Sequence, residues 1–319
     1  MTLWDLVSQN LGSPAVLAFV LGAVAVRLKS DLSFPESVTS LLSTYLLLAI
    51  GLKGGLRLRD AAFADLAMPL LGTLLLGLLT PAVTYVVARK YLGRPPADAA
   101  ALAAHYGSVS AVTFTAAETF TRSAGTLNED YLAALIAVLE VPGIIVALVI
   151  ASRVLGKSTL RSALHEVVTG RSVVLLLGGL VIGFVASQGS ASLVEPLFVD
   201  MFPGVLVLFL LDLGVLAGSR LDAIRSAGRK IVLFGIGLPL VFGVCGAFVG
   251  TAAGLSVGGV TVLATMAASA SYIAAPAAVR IGMPEADAGL ALGAALGITF
   301  PFNLVVGIPL YAELASRLA

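Results

Sequence analysis

The sequence predicts an all-α polytopic membrane protein with ten transmembrane helices in two inverted five-helix repeats. Three observations carry this reading. Of 319 residues, 59% are hydrophobic and 12% are charged, with a mean hydropathy of +1.04. A soluble chain of this size needs about twice that charge to cover its surface. Apolar stretches close to the roughly 20 residues that cross a bilayer recur along the whole chain. The chain also repeats itself at an offset near 160 residues.

The first span, 13–28, is short. Residues 1–12 carry Asp5 and neither Lys nor Arg, so they lack a basic signal-peptide region and the span is expected to be retained. The second, 37–56, holds Lys53 and a cluster of glycines, and the third is 66–91. The fourth, 97–121, is polar for lipid, and the fifth, 129–154, contains Glu140. The sixth, 171–187, is short, and the seventh, 194–218, contains Asp212. The eighth is 229–253, and the ninth, 257–280, is again polar. The tenth, 286–315, contains Thr299, Pro301 and Asn303. The predicted halves are 1–156 and 171–319, joined by a short cytoplasmic linker over 157–170.

Lys and Arg set the orientation. With the N-terminus outside, the inside loops hold 14 of these residues: Arg27, Lys29, Arg89, Lys90, Arg94, Arg153, Lys157, Arg161, Arg171, Arg220, Arg225, Arg229, Lys230 and Arg280. The outside holds Arg57, Arg59, Arg122 and Arg317. Both termini are therefore expected outside. Nineteen basic against 18 acidic residues give no field for nucleic acid. A lone Cys245 excludes an internal disulfide or a cysteine metal cage, and His105 and His165 are too few for a haem or di-metal bundle. The phosphate-binding loop of an ATPase is missing. No enzyme motif or cofactor is expected, and transport would draw on an external gradient.

The repeat is visible in three places. Ile50-Gly51-Leu52-Lys53-Gly54-Gly55 matches Leu213-Gly214-Val215-Leu216-Ala217-Gly218 at offset 163. Gly107-Ser108-Val109-Ser110 matches Ala268-Ser269-Ala270-Ser271 at offset 161, and Pro142 matches Pro301 at offset 159. A unit of five helices is odd, so its copy enters from the opposite side, as in many secondary transporters.

The polar chemistry falls in equivalent places. Polar residues within a span usually face a cavity or a partner helix. Gly107 and Pro276 weaken the fourth and ninth helices near mid-membrane, and each break exposes amides and a positive dipole end. Gly107, Ser108, Val109, Ser110, Ala268, Ser269, Ala270, Ser271 and Tyr272 form the expected substrate site, suited to a small anion without a buried Arg or Lys. Oxygen atoms of Ser110, Thr113, Glu140, Ser271, Thr299 and Asn303 suit Na⁺, the expected coupling ion. The same small residues also suit close helix packing. Lys53 and Asp212 lie on repeat-related helices and are expected to form a structural ion pair or a gate.

These motifs, in this order, resemble the SbtA-type sodium-dependent bicarbonate transporter family over nearly the whole chain. The resemblance rests on Phe34-Pro35-Glu36, Ile50 to Gly55, Gly107 to Ser110 with Thr113, and the acid-x-Pro of Glu140 and Pro142. It extends through Ser269 to Pro276, Arg280-Ile281-Gly282-Met283-Pro284 and Gly307-Ile308-Pro309-Leu310. It implies core and gate bundles, Na⁺-coupled bicarbonate import by alternating access, a homotrimer and a bacterial inner membrane. An organic carboxylate or another small anion is the alternative cargo. The resemblance departs at Tyr272, where the family carries an acidic residue, and at Glu140, where it carries Asp. The short linker also predicts weak or absent control by a PII-like partner.

Overall fold

The computed structural model describes residues 3–59, 61–156 and 160–319. Lys157 and the side chains of Asp5 and Arg225 lie outside the described residues. Every regular element among the described residues is helical. The first half comprises α1 (Leu3–Leu11), α2 (Pro14–Arg27), α3 (Glu36–Leu58), α4 (Phe63–Lys90), α5 (Pro96–Tyr106), α6 (Ala111–Ser123) and α7 (Leu132–Leu155). Then come α8 (Leu160–Thr169), α9 (Arg171–Val185), α10 (Gln188–Ser192), α11 (Phe202–Ala227) and α12 (Arg229–Ala252). The chain ends with α13 (Val257–Ala267), α14 (Ala275–Gly282), α15 (Ala288–Ala294), α16 (Phe300–Phe302) and α17 (Ile308–Leu318).

Six helices among the described residues are long and apolar enough to cross a membrane, or seven if the bent pair α8–α9 counts as one span. The protein is thus a multi-pass membrane protein. The other predicted spans coincide with short or broken helices. α2 has 14 residues, about 21 Å of helix. The predicted fourth and ninth spans are interrupted, as α5–α6 and α13–α14. The 157–170 segment is more than a loop. Its α8 buries Ala163 and Val167 and meets α9 at a 46° bend.

Two pairs of helices pack in the same way. α3 packs on α9, and α2 packs on α11. Both crossings are so close that only glycine fits. A Cβ at Gly55 would lie 2.0 Å from the Leu180 carbonyl oxygen, and one at Gly214 would lie 2.1 Å from that of Phe19. Gly183 and Gly179 meet α3 backbone in turn, with an added Cβ 2.2 and 2.8 Å from the Leu52 and Leu48 carbonyl oxygens. Small residues four apart let helix backbones touch in lipid. The matched glycine runs of the repeat thus serve equivalent crossings.

The last span departs from a regular α-helix. It contains π-helical turns at Ala295–Thr299 and Asn303–Gly307, on either side of α16. Pro301 in α16 has no N–H to give the ladder, and the widened turns flank it. Asn10 on α1 donates to the Leu304 carbonyl at 2.5 Å, satisfying an acceptor inside the second π turn.

Candidate functional site

The interrupted helices meet at their breaks. α5 ends at Tyr106 and α6 starts at Ala111, while α13 ends at Ala267 and α14 starts at Ala275. The two connecting segments cross and bond directly. The Ser271 amide donates to the His105 carbonyl at 2.7 Å. In the pseudo-equivalent direction a hydroxyl relays the contact. The Ser110 amide donates to Ser269 Oγ at 2.9 Å, and Ser269 donates to the Met266 carbonyl at 2.8 Å. His105 Nδ1 bonds the Ser271 carbonyl at 2.7 Å, closing the crossing.

At each break the serine in the matched position accepts from amides at the start of the following half-helix. Ser110 Oγ accepts from the Thr113 amide at 3.1 Å at the start of α6. Ser271 Oγ accepts from the Ala274 and Ala275 amides at 3.3 Å at the start of α14. A hydroxyl that accepts from an amide in this way keeps its own O–H free to donate. Ser110 and Ser271 therefore retain donors at the crossing, whereas the Ser269 donor is spent on Met266.

Two further hydroxyls remain open. Ser108 Oγ and the Tyr272 hydroxyl are buried without hydrogen-bond partners, the latter facing Ser110. The Tyr272 ring packs edge-on against Phe300, with centroids 5.5 Å apart. Most buried polar groups in folded proteins are bonded, so two open ones beside a helix crossing mark a place where a ligand can supply acceptors. Val109, Ala268 and Ala270 are buried in the same segments. Gly107 is fixed by close packing, because a Cβ there would lie 2.6 Å from Pro81. Gly143 on α7 sits under it, where an added Cβ would meet the Gly107 carbonyl oxygen.

The six residues expected to hold Na⁺ are divided by the fold. Ser110, Thr113 and Ser271 belong to the crossing. Thr299 donates to the Gly235 carbonyl at 2.7 Å, so the Tyr106 hydroxyl, also at 2.7 Å, must donate to Thr299. Asn303 donates from Nδ2 to the Ala268 carbonyl at 2.7 Å, tying the second π turn to the end of α13. Glu140 is buried on α7 beside Ser172, with Oε2 unpartnered. Glu140, Thr299 and Asn303 share no hydrogen bond with one another. Tyr106 and His105 are structural partners of the site that their sequence positions alone did not assign.

Lys53 and Asp212 have separate partners, which replaces the expected ion pair. Thr39 donates to Asp212 at 2.7 Å, while the Lys53 ammonium lies 4.0 Å over the Phe202 ring. Thr39 and Lys53 are about 21 Å apart along α3 at 1.5 Å per residue. The start of α3 meets the middle of α11 and its end meets the start of α11, so these repeat-related helices run antiparallel.

Three cavities lie beside the crossing and share lining residues in turn. A vestibule of about 510 Å³ reaches from Lys53, Glu118 and Arg122 to Ile50. Ile50 also lines a space of about 10 Å³ with Ser43, Ala111, Thr115 and Ile273. Ile273 in turn lines a cavity of about 230 Å³ with Ser172 and Ala277. The middle space, between Ile50 and Ile273, has room for about one water.

A family profile described as the Na⁺-dependent bicarbonate transporter superfamily matches residues 14–316. The chain belongs to that superfamily. It is therefore a member of a transporter family and not an enzyme. The match runs through both crossing segments, α7 and the π turns. No curated protein matches the chain.

Proposed function

We propose that the protein imports bicarbonate by symport with Na⁺, by alternating access around the crossing of α5–α6 and α13–α14. The single observation that carries this is the crossing itself. Two matched serines accept from amides at the starts of two half-helices, and the open hydroxyls of Ser108 and Tyr272 lie beside them. Four O–H donors and two helix starts suit a planar oxyanion, and no Arg or Lys need be buried with it. Tyr272, in place of an acid, adds a donor and removes a charge that would repel an anion.

A small middle space with wider cavities on both sides supports alternation between two open states. The antiparallel run of α3 and α11 and the paired glycine crossings support two inverted halves of five spans. α2, α3, α9 and α11 would form the gate, and the crossing helices with α4, α7, α12 and the last span would form the core. Na⁺ would sit against oxygens of Ser110, Thr113 and Ser271, with Glu140, Thr299 and Asn303 acting from outside that cluster. A homotrimer in a bacterial inner membrane with both termini outside completes the reading.

Purified protein in liposomes tests it. Radiolabelled bicarbonate should enter saturably under an inward Na⁺ gradient and not under an inward K⁺ gradient. Equal uptake under both gradients would remove Na⁺ coupling, and no uptake above protein-free liposomes would remove bicarbonate as cargo.

A further inference from the structure

The vestibule holds a cation that has no carboxylate partner among the described residues. Four basic residues line it: Lys53, Arg57, Arg59 and Arg122. Its acids are Glu118, Asp130 and Glu195. Arg122 reaches both Glu118 and Asp130 at 3.0 Å, and Arg57 lies 3.8 Å from Asp130. Arg59 donates to the Ala186 carbonyl at 2.8 Å. Glu195 is exposed on the rim. Among the described residues, Lys53 has no carboxylate within 4.0 Å. Its ammonium rests on the Phe202 ring, which accepts one face of the charge and leaves N–H donors directed into the cavity.

The position of this cation gives it a use. Lys53 is one helical turn from Ile50, the residue that separates the vestibule from the middle space. A positive charge in a concave, low-dielectric cleft raises the local concentration of anions. We propose that Lys53 forms a loading site, distinct from the crossing, at which a small oxyanion binds the ammonium before passing Ile50. This rests on the transport reading of the crossing, and it assigns the vestibule face as the side from which the anion is loaded.

The test separates the two. Thr119 is exposed in the vestibule, and Cys245 is the single native thiol. T119C is made in a C245S background and labelled with N-ethylmaleimide, a neutral reagent indifferent to screening. Potassium bicarbonate should slow labelling several-fold relative to potassium chloride at matched ionic strength. K53M, which keeps the stem over Phe202, should abolish that protection, and K53R should keep it. In liposomes K53M should raise the KM for bicarbonate about tenfold, the loss of one charge-assisted hydrogen bond, and lower the maximal rate far less. Protection that persists in K53M, or that is absent in the parent, overturns the loading site. Protection that depends on Lys53 with no Na⁺-driven uptake overturns the transport reading and leaves the site standing.

Discussion

The Tyr272 hydroxyl and Ser108 Oγ are buried with open valences, while Ser110 Oγ spends its acceptor on the Thr113 amide. These two conditions have opposite energetic signs. An unsatisfied buried polar group costs about 1–3 kcal/mol, so Y272F and S108A should stabilise the anion-free protein by about 1 kcal/mol. Losing an N-cap costs about 1 kcal/mol, so S110A should destabilise it. All three should weaken bicarbonate uptake, because each removes a donor from the crossing. Thermal unfolding in detergent set beside uptake KM checks the pattern, and a Y272F protein that is less stable than the parent would remove Tyr272 from the site. The hydroxyls themselves were legible in the sequence, since Ser and Thr in an apolar span are conspicuous. Which of them is already engaged was not, because Ser110, Ser269 and Ser271 spend hydroxyl atoms on backbone groups three or four residues away that are freed only where each helix breaks. The Lys53–Asp212 pairing failed for a related reason. A repeat offset identifies related helices, but on antiparallel helices the residues that meet are set by level, and Asp212 lies level with Thr39 while Lys53 lies level with Phe202.

Among the helices, the paired crossings carry the sharpest demand. On α9, Gly179 and Gly183 face α3 backbone, with an added Cβ at Gly183 only 2.2 Å from the Leu52 carbonyl oxygen. Gly178 on the same helix has open space around its Cβ position. G183A should therefore cost about 1–3 kcal/mol through overpacking, with a matching fall in midpoint temperature. G178A should be neutral or slightly stabilising, since Ala is the better helix former. G214A should behave like G183A at the equivalent crossing. A G183A midpoint within experimental scatter of G178A would show that α3 and α9 do not approach so closely. The runs containing Gly51 and Gly214 were readable as a repeat because their spacing is local. The π turns at Ala295–Thr299 and Asn303–Gly307 were not. Widening a turn by one residue leaves composition and apolar pattern almost unchanged, and Pro301 alone suggests only a kink. The helix over Leu160–Thr169 was likewise read as linker, because its short apolar face finds a partner only when α14 packs on it.

Across the whole molecule, the broken helices are held at their starts and cross at their breaks. Glu129, just before α7, accepts from the Ser256 amide and hydroxyl at 2.5 and 2.6 Å, clamping the start of α13. Asp98 at the start of α5 accepts from the Asp287 amide at 2.9 Å, clamping the segment before α15. The loop before α7 is thus tied to α13, and the loop before α15 to α5, and under the proposed mechanism the crossing would travel as one body with α7 and the last span. The helices that face it across Ile50 and Ile273 are α3, α9 and α11; α3 packs on α9, and α11 on α2, through glycine crossings. Relative motion of these two groups would widen one cavity as it narrows the other. Cysteines placed one at a time at Thr119 in the vestibule and at Ala277 in the opposite cavity, in the C245S background, should report this directly. K53M removes loading at the vestibule, so at saturating bicarbonate that variant isolates the motion from simple occupancy. In it, Na⁺ with bicarbonate should shift the labelling rates of T119C and A277C in opposite directions by at least about threefold. Rates that rise or fall together would mean that the cavities open as a continuous pore, and the alternating-access reading would have to give way to a channel.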